Sequence, residues 1–180
     1  IRRQRQMCIR DRYFRGDFVD KSKTCFFTGH RKIAQSKIEI VKAQLAENIE
    51  KMITEYGVNT FIDGGALGFD TIAAETVIEM REKYQNIKLV MYLPCYGQSK
   101  MWKESEQFRY RMVLSKADKI IYITESVYTD DCMKLRNLKM IKDSSFCIAF
   151  CLMQKSGTGF TLRNAENVGI EIVNIADEIY

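Results

Sequence analysis

The residues with the clearest chemical potential lie in "FIDGGALGFD", residues 61–70. Gly64, Gly65 and Gly68 fall within five positions, between an apolar run ending at Asp63 and a helical pattern, with Asp70 at the seam. Glycines let a backbone approach a ligand with no Cβ in the way. The following helix start carries free N–H groups and about half a positive charge, which suits an anion. Gly64, Gly65, Ala66, Gly68 and Asp70 are therefore a candidate phosphate cradle. A tight strand-to-helix turn would use the same glycines for geometry alone. The spacing is neither G-x-G-x-x-G nor a Walker loop. Comparable residues follow the other apolar runs. Thr28, Gly29, His30 and Arg31 follow the first, and Gln98 and Trp102 the third, as a polar reader and a stacking platform. Tyr128, Arg136 and Asn137 follow the fourth. Ser156, Gly157 and Thr158, with Gly159, form a second short anion-binding turn after the fifth.

Positioning these groups requires alternating strands and helices. Apolar runs at 24–28, 59–63, 87–94, 119–124, 146–151 and 170–175 read as six strands. Between the first two, Ile38, Val41, Leu45, Ile49 and Met52 recur at three- and four-residue steps, an amphipathic helix stopped by Gly57. Further helices are expected over 71–84, 101–117, before 146, and near 160–168. The strands are continuous apolar runs, as when helices cover both faces. The alternation predicts an α/β fold: a Rossmann-like, doubly wound, mostly parallel sheet. In such sheets, ligands sit outside the carboxyl ends of the strands, where every candidate group falls.

Composition narrows the function classes. The 180 residues are 46% hydrophobic and 28% charged, as in an ordinary globular chain. No apolar run spans a bilayer and no apolar leader is visible, so no membrane association is expected. Six cysteines without a CxxC pair, beside one histidine, argue against a metal site and for a reducing cytoplasm. Residues 1–15 carry six arginines and one aspartate, and "MCIRDR" resembles the translation of a sequencing-library adapter. Residues 1–20 are accordingly set aside as an artefactual or disordered leader, and 21–180 are expected to form one domain. The whole chain has 28 basic and 23 acidic residues, and beyond residue 15 they balance at 22 each. Nucleic acid is therefore not expected as a partner.

The ordered set "CFFTGHR", "GGALGFDTIAAE", "LPCYGQSKMW", "ADKIIYI", "RNLKMIKDSS" and "SGTGF" resembles the SLOG (Smf/DprA–LOG) superfamily, in its YpsA-like branch. The resemblance runs from about Thr24 to Ile175. It implies two glycine turns side by side across a Rossmann-like sheet, binding a nucleotide or an ADP-ribose-like ligand. That role passes to Gly64, Gly65, Gly68, Asp70, Gly157 and Thr158, and to His30, Arg31, Gln98 and Arg136. LOG-type enzymes cleave an N-glycosidic bond with a glutamate in their second turn. Here Thr161 and Leu162 occupy those positions and Glu166 comes later. A carboxylate is needed beside an oxocarbenium-like centre, so no catalytic residue is assigned, although Asp70 or Glu75 could substitute. Phosphoribohydrolase activity and DprA-like single-stranded DNA binding are the alternatives. No cofactor is expected, and a homodimer is the expected assembly.

Overall fold

The run beginning at Thr24 forms β1 (Thr24–Gly29), the strand on which the sheet is laid. In a computed structural model, which describes residues 19–125, 127–129 and 131–180, β1 pairs on both sides. The leader expected over residues 1–20 lies, up to residue 18, outside the described residues. β2 (Thr60–Asp63), β3 (Lys88–Leu93) and β4 (Lys119–Tyr122) extend from one edge of β1. β5 (Phe146–Phe150) and β6 (Glu171–Asn174) extend from the other. The order is β4-β3-β2-β1-β5-β6 and every pairing is parallel. The strand order thus reverses between β1 and β5, and such a reversal leaves a crevice at the carboxyl ends. Thr28 stands opposite Ala149 there, and Gly29 opposite Phe150.

Side chains alternate across the sheet and define two apolar layers. Cys25, Phe27, Phe61, Leu89, Met91, Ile148 and Phe150 face α1 (Ile38–Thr54) and α2 (Phe69–Met80). α1 contributes Val41, Leu45, Ile49 and Met52, the stripe expected from its periodicity. The opposite face presents Phe26, Ile62, Val90, Tyr92, Cys147 and Ala149 to α4 (Cys132–Lys142) and α5 (Gly157–Asn167). The fold is therefore doubly wound, as expected.

The margins differ from the expectation of strands covered on both faces. The edge strand β4 leaves Ile120 39% exposed, because α3 (Glu104–Lys116) buries only Val113. A last short helix, α6 (Ala176–Ile179), follows β6 and tucks Ala176 into the first layer. Among the described residues no helix is long and apolar enough to cross a membrane.

Phe69 joins this core to the crevice. Its ring stacks on Phe150 at 5.8 Å between centroids, and Gly29 has no Cβ because that ring fills the space. Phe69→Ala should cost about 3–5 kcal/mol of unfolding free energy, measured by urea denaturation.

Candidate functional site

The crevice is a cleft of about 330 Å³ at the carboxyl end of β1. Thr28, Gly29, His30 and Arg31 line it from β1, and Ala66 and Asp70 from the turn into α2. Met133, Arg136 and Asn137 line it from α4, and Ser156, Gly157 and Thr158 from the start of α5. Four separate segments thus converge on one space. Tyr128 is exposed and does not line it.

The first glycine turn is occupied by the protein's own groups. Gly65 N–H donates to Asp63 Oδ1 at 2.7 Å, and Ala66 N–H to Asp70 Oδ2 at 3.3 Å. Phe69 N–H donates to the His30 carbonyl at 3.1 Å. The glycines serve close packing of the chain on itself. A Cβ on Gly64 would overlap the Arg136 guanidinium. Gly68 has φ +77°, and a Cβ there would lie 2.7 Å from the His30 carbonyl oxygen. Gly65 has φ +65°, with Leu93, Gln98 and Tyr110 around it.

Arg136 is the centre of the site's electrostatics. It is 6% exposed, yet its guanidinium Nη1 donates to the Gly64 carbonyl and its Nε to Asn137 Oδ1 at 2.8 Å. Two buried acids, Asp63 and Asp70, share its neighbourhood. Burial raises the Asp63 carboxyl well above the usual range, with the Asp70 charge adding to the rise. Burial also raises Asp70, but Arg136, the Ala66 N–H and Arg31 oppose it. Burial lowers the Arg136 pKa, against the charges of Asp70 and Asp63. Like charges this close do not both ionise readily. Of the two, Asp63 is pushed further towards its protonated form, while Arg136 and Arg31 favour the anion at Asp70, which faces the cleft.

The second turn is arranged differently. Ser156 caps α5: its Oγ accepts from Gly159 N–H at 3.1 Å and donates to the Met153 carbonyl at 2.6 Å. Gly157 has nothing within 4 Å of where a Cβ would stand. The two turns are tied through α4. Asn137 Nδ2 donates to Thr161 Oγ1 at 2.8 Å, and Thr161 Oγ1 donates to the Gly157 carbonyl at 3.0 Å. With the Arg136 bonds, this makes a continuous strap from Gly64 to Gly157. Thr161 and Asp63 join the site without having been singled out. Thr161 is notable in the sequence only for replacing a LOG-type glutamate, and Asp63 only as the end of an apolar strand.

His30 acts as a clasp. Its Nε2 accepts from Leu152 N–H at 2.8 Å and Met153 N–H at 3.3 Å, while the His30 backbone N–H donates to the Phe150 carbonyl at 3.1 Å. An Nε2 that accepts two amides carries no proton, and burial lowers the pKa. The imidazole is thus neutral and joins the ends of β1 and β5.

Other candidates lie outside the cleft. Gln98 Nε2 donates to the Gly65 carbonyl at 3.1 Å and to Tyr110 Oη at 2.9 Å, supporting the first turn from behind. Trp102 packs edge-on against Tyr110 at 5.2 Å. The Glu75 carboxylate is held by Arg109 at 2.9 and 2.6 Å, and Glu166 is exposed on α5. Asp70 is the carboxylate that lines the cleft. Among the described residues no group of three or more metal-ligating side chains occurs.

Comparison with known proteins places this geometry in context. The sequence model of the YspA SLOG family matches residues 25–168. A UPF0398 protein of Bacillus cereus strain B4264 is 32% identical over 122 residues, covering 67% of this chain and 66% of that protein. One of Bacillus thuringiensis strain Al Hakam is 31% identical over the same length and coverage. The chain thus spans about two thirds of the length of these curated relatives. Among solved structures, DNA processing protein A of Helicobacter pylori aligns with a TM-score of 0.61 at 19% identity, covering 86% of this chain and 66% of that one. DNA processing protein A of Streptococcus pneumoniae aligns at 0.60 and 16%, covering 87% and 50%. These likenesses concern the fold.

They also correct one expectation. Nucleic acid was set aside because the charges beyond residue 15 balance, but the H. pylori structure was solved for its single-stranded DNA binding mode. A chain-wide charge sum averages over the surface and says little about a local field. Lys134, for example, lies 5.5 Å over the ring of Phe160 on the neighbouring helix.

The acid pair makes a pH test. A carboxyl whose pKa is higher in the folded chain adds stability below the unfolded value of 3.8, and loses it as pH rises through the folded value. One such group gives at most about 1.4 kcal/mol per pH unit. Asp63→Asn keeps an acceptor for Gly65 N–H and removes the titration. Its stability relative to the wild type should therefore rise steadily from pH 4 upward in urea denaturation, and a constant difference would contradict this assignment.

Proposed function

This chain belongs to the YspA SLOG family, and on that footing we propose that the cleft binds a nucleotide or nucleotide-derived ligand. The observation that carries the proposal is the convergence of the α5 N-terminus with buried Arg136 and Asp70 on one space. An anionic group of the ligand sits at Ser156, Gly157 and Thr158, where the helix dipole and backbone favour negative charge. Arg136 and the exposed Arg31 add positive charge beside it. Asp70 suits a ribose hydroxyl, since a carboxylate accepts hydrogen bonds and repels phosphate. The first turn contributes its shape and Asp70, because several of its amides are already engaged.

A second reading is single-stranded DNA, supported by the reported binding mode of the H. pylori protein with this fold. Bases would then stack on exposed rings such as Tyr128 and Phe160. A strong salt dependence of oligonucleotide affinity would favour this reading.

The test is a thermal-shift panel of nucleotides and ADP-ribose. A ligand at a hundred times its Kd adds about 2.7 kcal/mol of stability. In Gly157→Val the added Cβ has no protein atom within 4 Å and the backbone is not left-handed. The variant should melt at the wild-type temperature without ligand and lose the ligand-dependent shift. Absence of any shift in the wild type overturns the nucleotide reading, and an unchanged shift in the variant removes the α5 start from the site.

A further inference from the structure

Two cysteines bring reactive groups together beside the cleft without lining it. Cys95 lies in the segment after β3, and Cys132 is the first residue of α4. Both are 0% exposed, and the Cys132 thiol donates to Cys95 Sγ at 3.8 Å. The thiols of Cys25 and Cys151 instead donate to backbone carbonyls, of Phe26 and Met153.

We propose that Cys95 and Cys132 are a redox-responsive dithiol, converted by a peroxide to a disulfide that pins the start of α4. One thiolate attacks a peroxide oxygen, the O–O bond breaks, and a sulfenic acid and one water result. The second thiol attacks the sulfenic sulfur. The S–O bond breaks, the S–S bond forms, and the departing hydroxide leaves as a second water with the thiol proton. Two thiols lose two hydrogens and two electrons, and hydrogen peroxide is reduced to two waters. Closing 3.8 Å to a bond of about 2.05 Å needs a movement of about 1.8 Å.

The placement gives the bond a consequence. Arg136 lies one helical turn beyond Cys132, and it carries the bonds to Gly64 and Asn137. The preceding Val127 and Tyr128 are 76% and 61% exposed, so this approach to α4 is thinly covered. A covalent link to the end of β3 would restrain α4 at the point where it enters the site. Burial raises the Cys95 thiol pKa, and its contact with Cys132 raises it further, which makes the reaction slower than at an exposed thiol.

The full chain is treated with hydrogen peroxide, digested under non-reducing conditions and mapped by mass spectrometry. The expected result is a Cys95–Cys132 linked peptide, an intact mass lower by about 2 Da, and reversal by dithiothreitol. Amide exchange over residues 132–137 should slow in the oxidised protein. Cys132→Ala should abolish the linked peptide, and if that variant folds poorly the wild-type map decides alone. Linkage through any other cysteine, sulfinic acid at either position, an unchanged mass, or unchanged exchange across 132–137 overturns the proposal.

Discussion

A guanidinium buried among acids organises this end of the molecule. Arg136 could not remain inside unless its charge were opposed and its donors used, since an unpaired ion there would cost several kcal/mol. Asp70 and Asp63 supply the opposing charge, and the Gly64 carbonyl and Asn137 accept its hydrogens. The side chain fits because Gly64 has no Cβ. Removing any one of these conditions leaves the others strained: a side chain at position 64 displaces the cation, and loss of the cation leaves two acids facing each other. The first turn, α4 and, through Asn137 and Thr161, the second turn are held in one arrangement by that single group.

The two glycine turns therefore have different work. In the first, carboxylates of the chain itself occupy amide donors that a phosphate would otherwise take. The turn is rigid, acidic on its cleft side, and shaped by contacts with Arg31, Arg136 and Leu93. In the second, a serine caps the helix and the glycine beside it is open. Under the proposed function, this asymmetry would orient a guest that is anionic at one end and rich in hydroxyls at the other. His30 contributes without charge, fixing the loop after β5 against the end of β1.

Much of the scaffold was legible because periodicity reports burial. The six apolar runs and the α1 stripe of Val41, Leu45, Ile49 and Met52 appear where expected. So does the placement of the candidate turns at the carboxyl ends of strands. What could not be read is what each group touches. A glycine reserved for a ligand and one reserved for a guanidinium are identical letters, so Gly64 and Gly157 looked alike. Arg136 would by default be a solvated helix residue. Its burial depends on Asp63 and Gly64, more than seventy residues away in the chain. His30 stood among the candidate ligand residues because it follows the first strand. Only the loop folded over it shows that its ring is an acceptor. The exposure of β4 likewise follows from strand order, which local patterns do not encode.

Strand order has a temporal meaning as well. Among the described residues β1 is the earliest strand and lies in the middle of the sheet, but its neighbour on the crevice side is β5, which begins at Phe146. Until that segment arrives, one whole edge of β1 is unpaired and the clasp made by His30 has nothing to hold. Contacts across so long a stretch of chain form late and slowly. Meanwhile β1 to β4, already able to pair in sequence, present an open apolar border to whatever is nearby. A ribosome-bound chain would thus have a half-sheet long before it has a cleft, and the period of greatest exposure to misassociation ends at the moment the site is made.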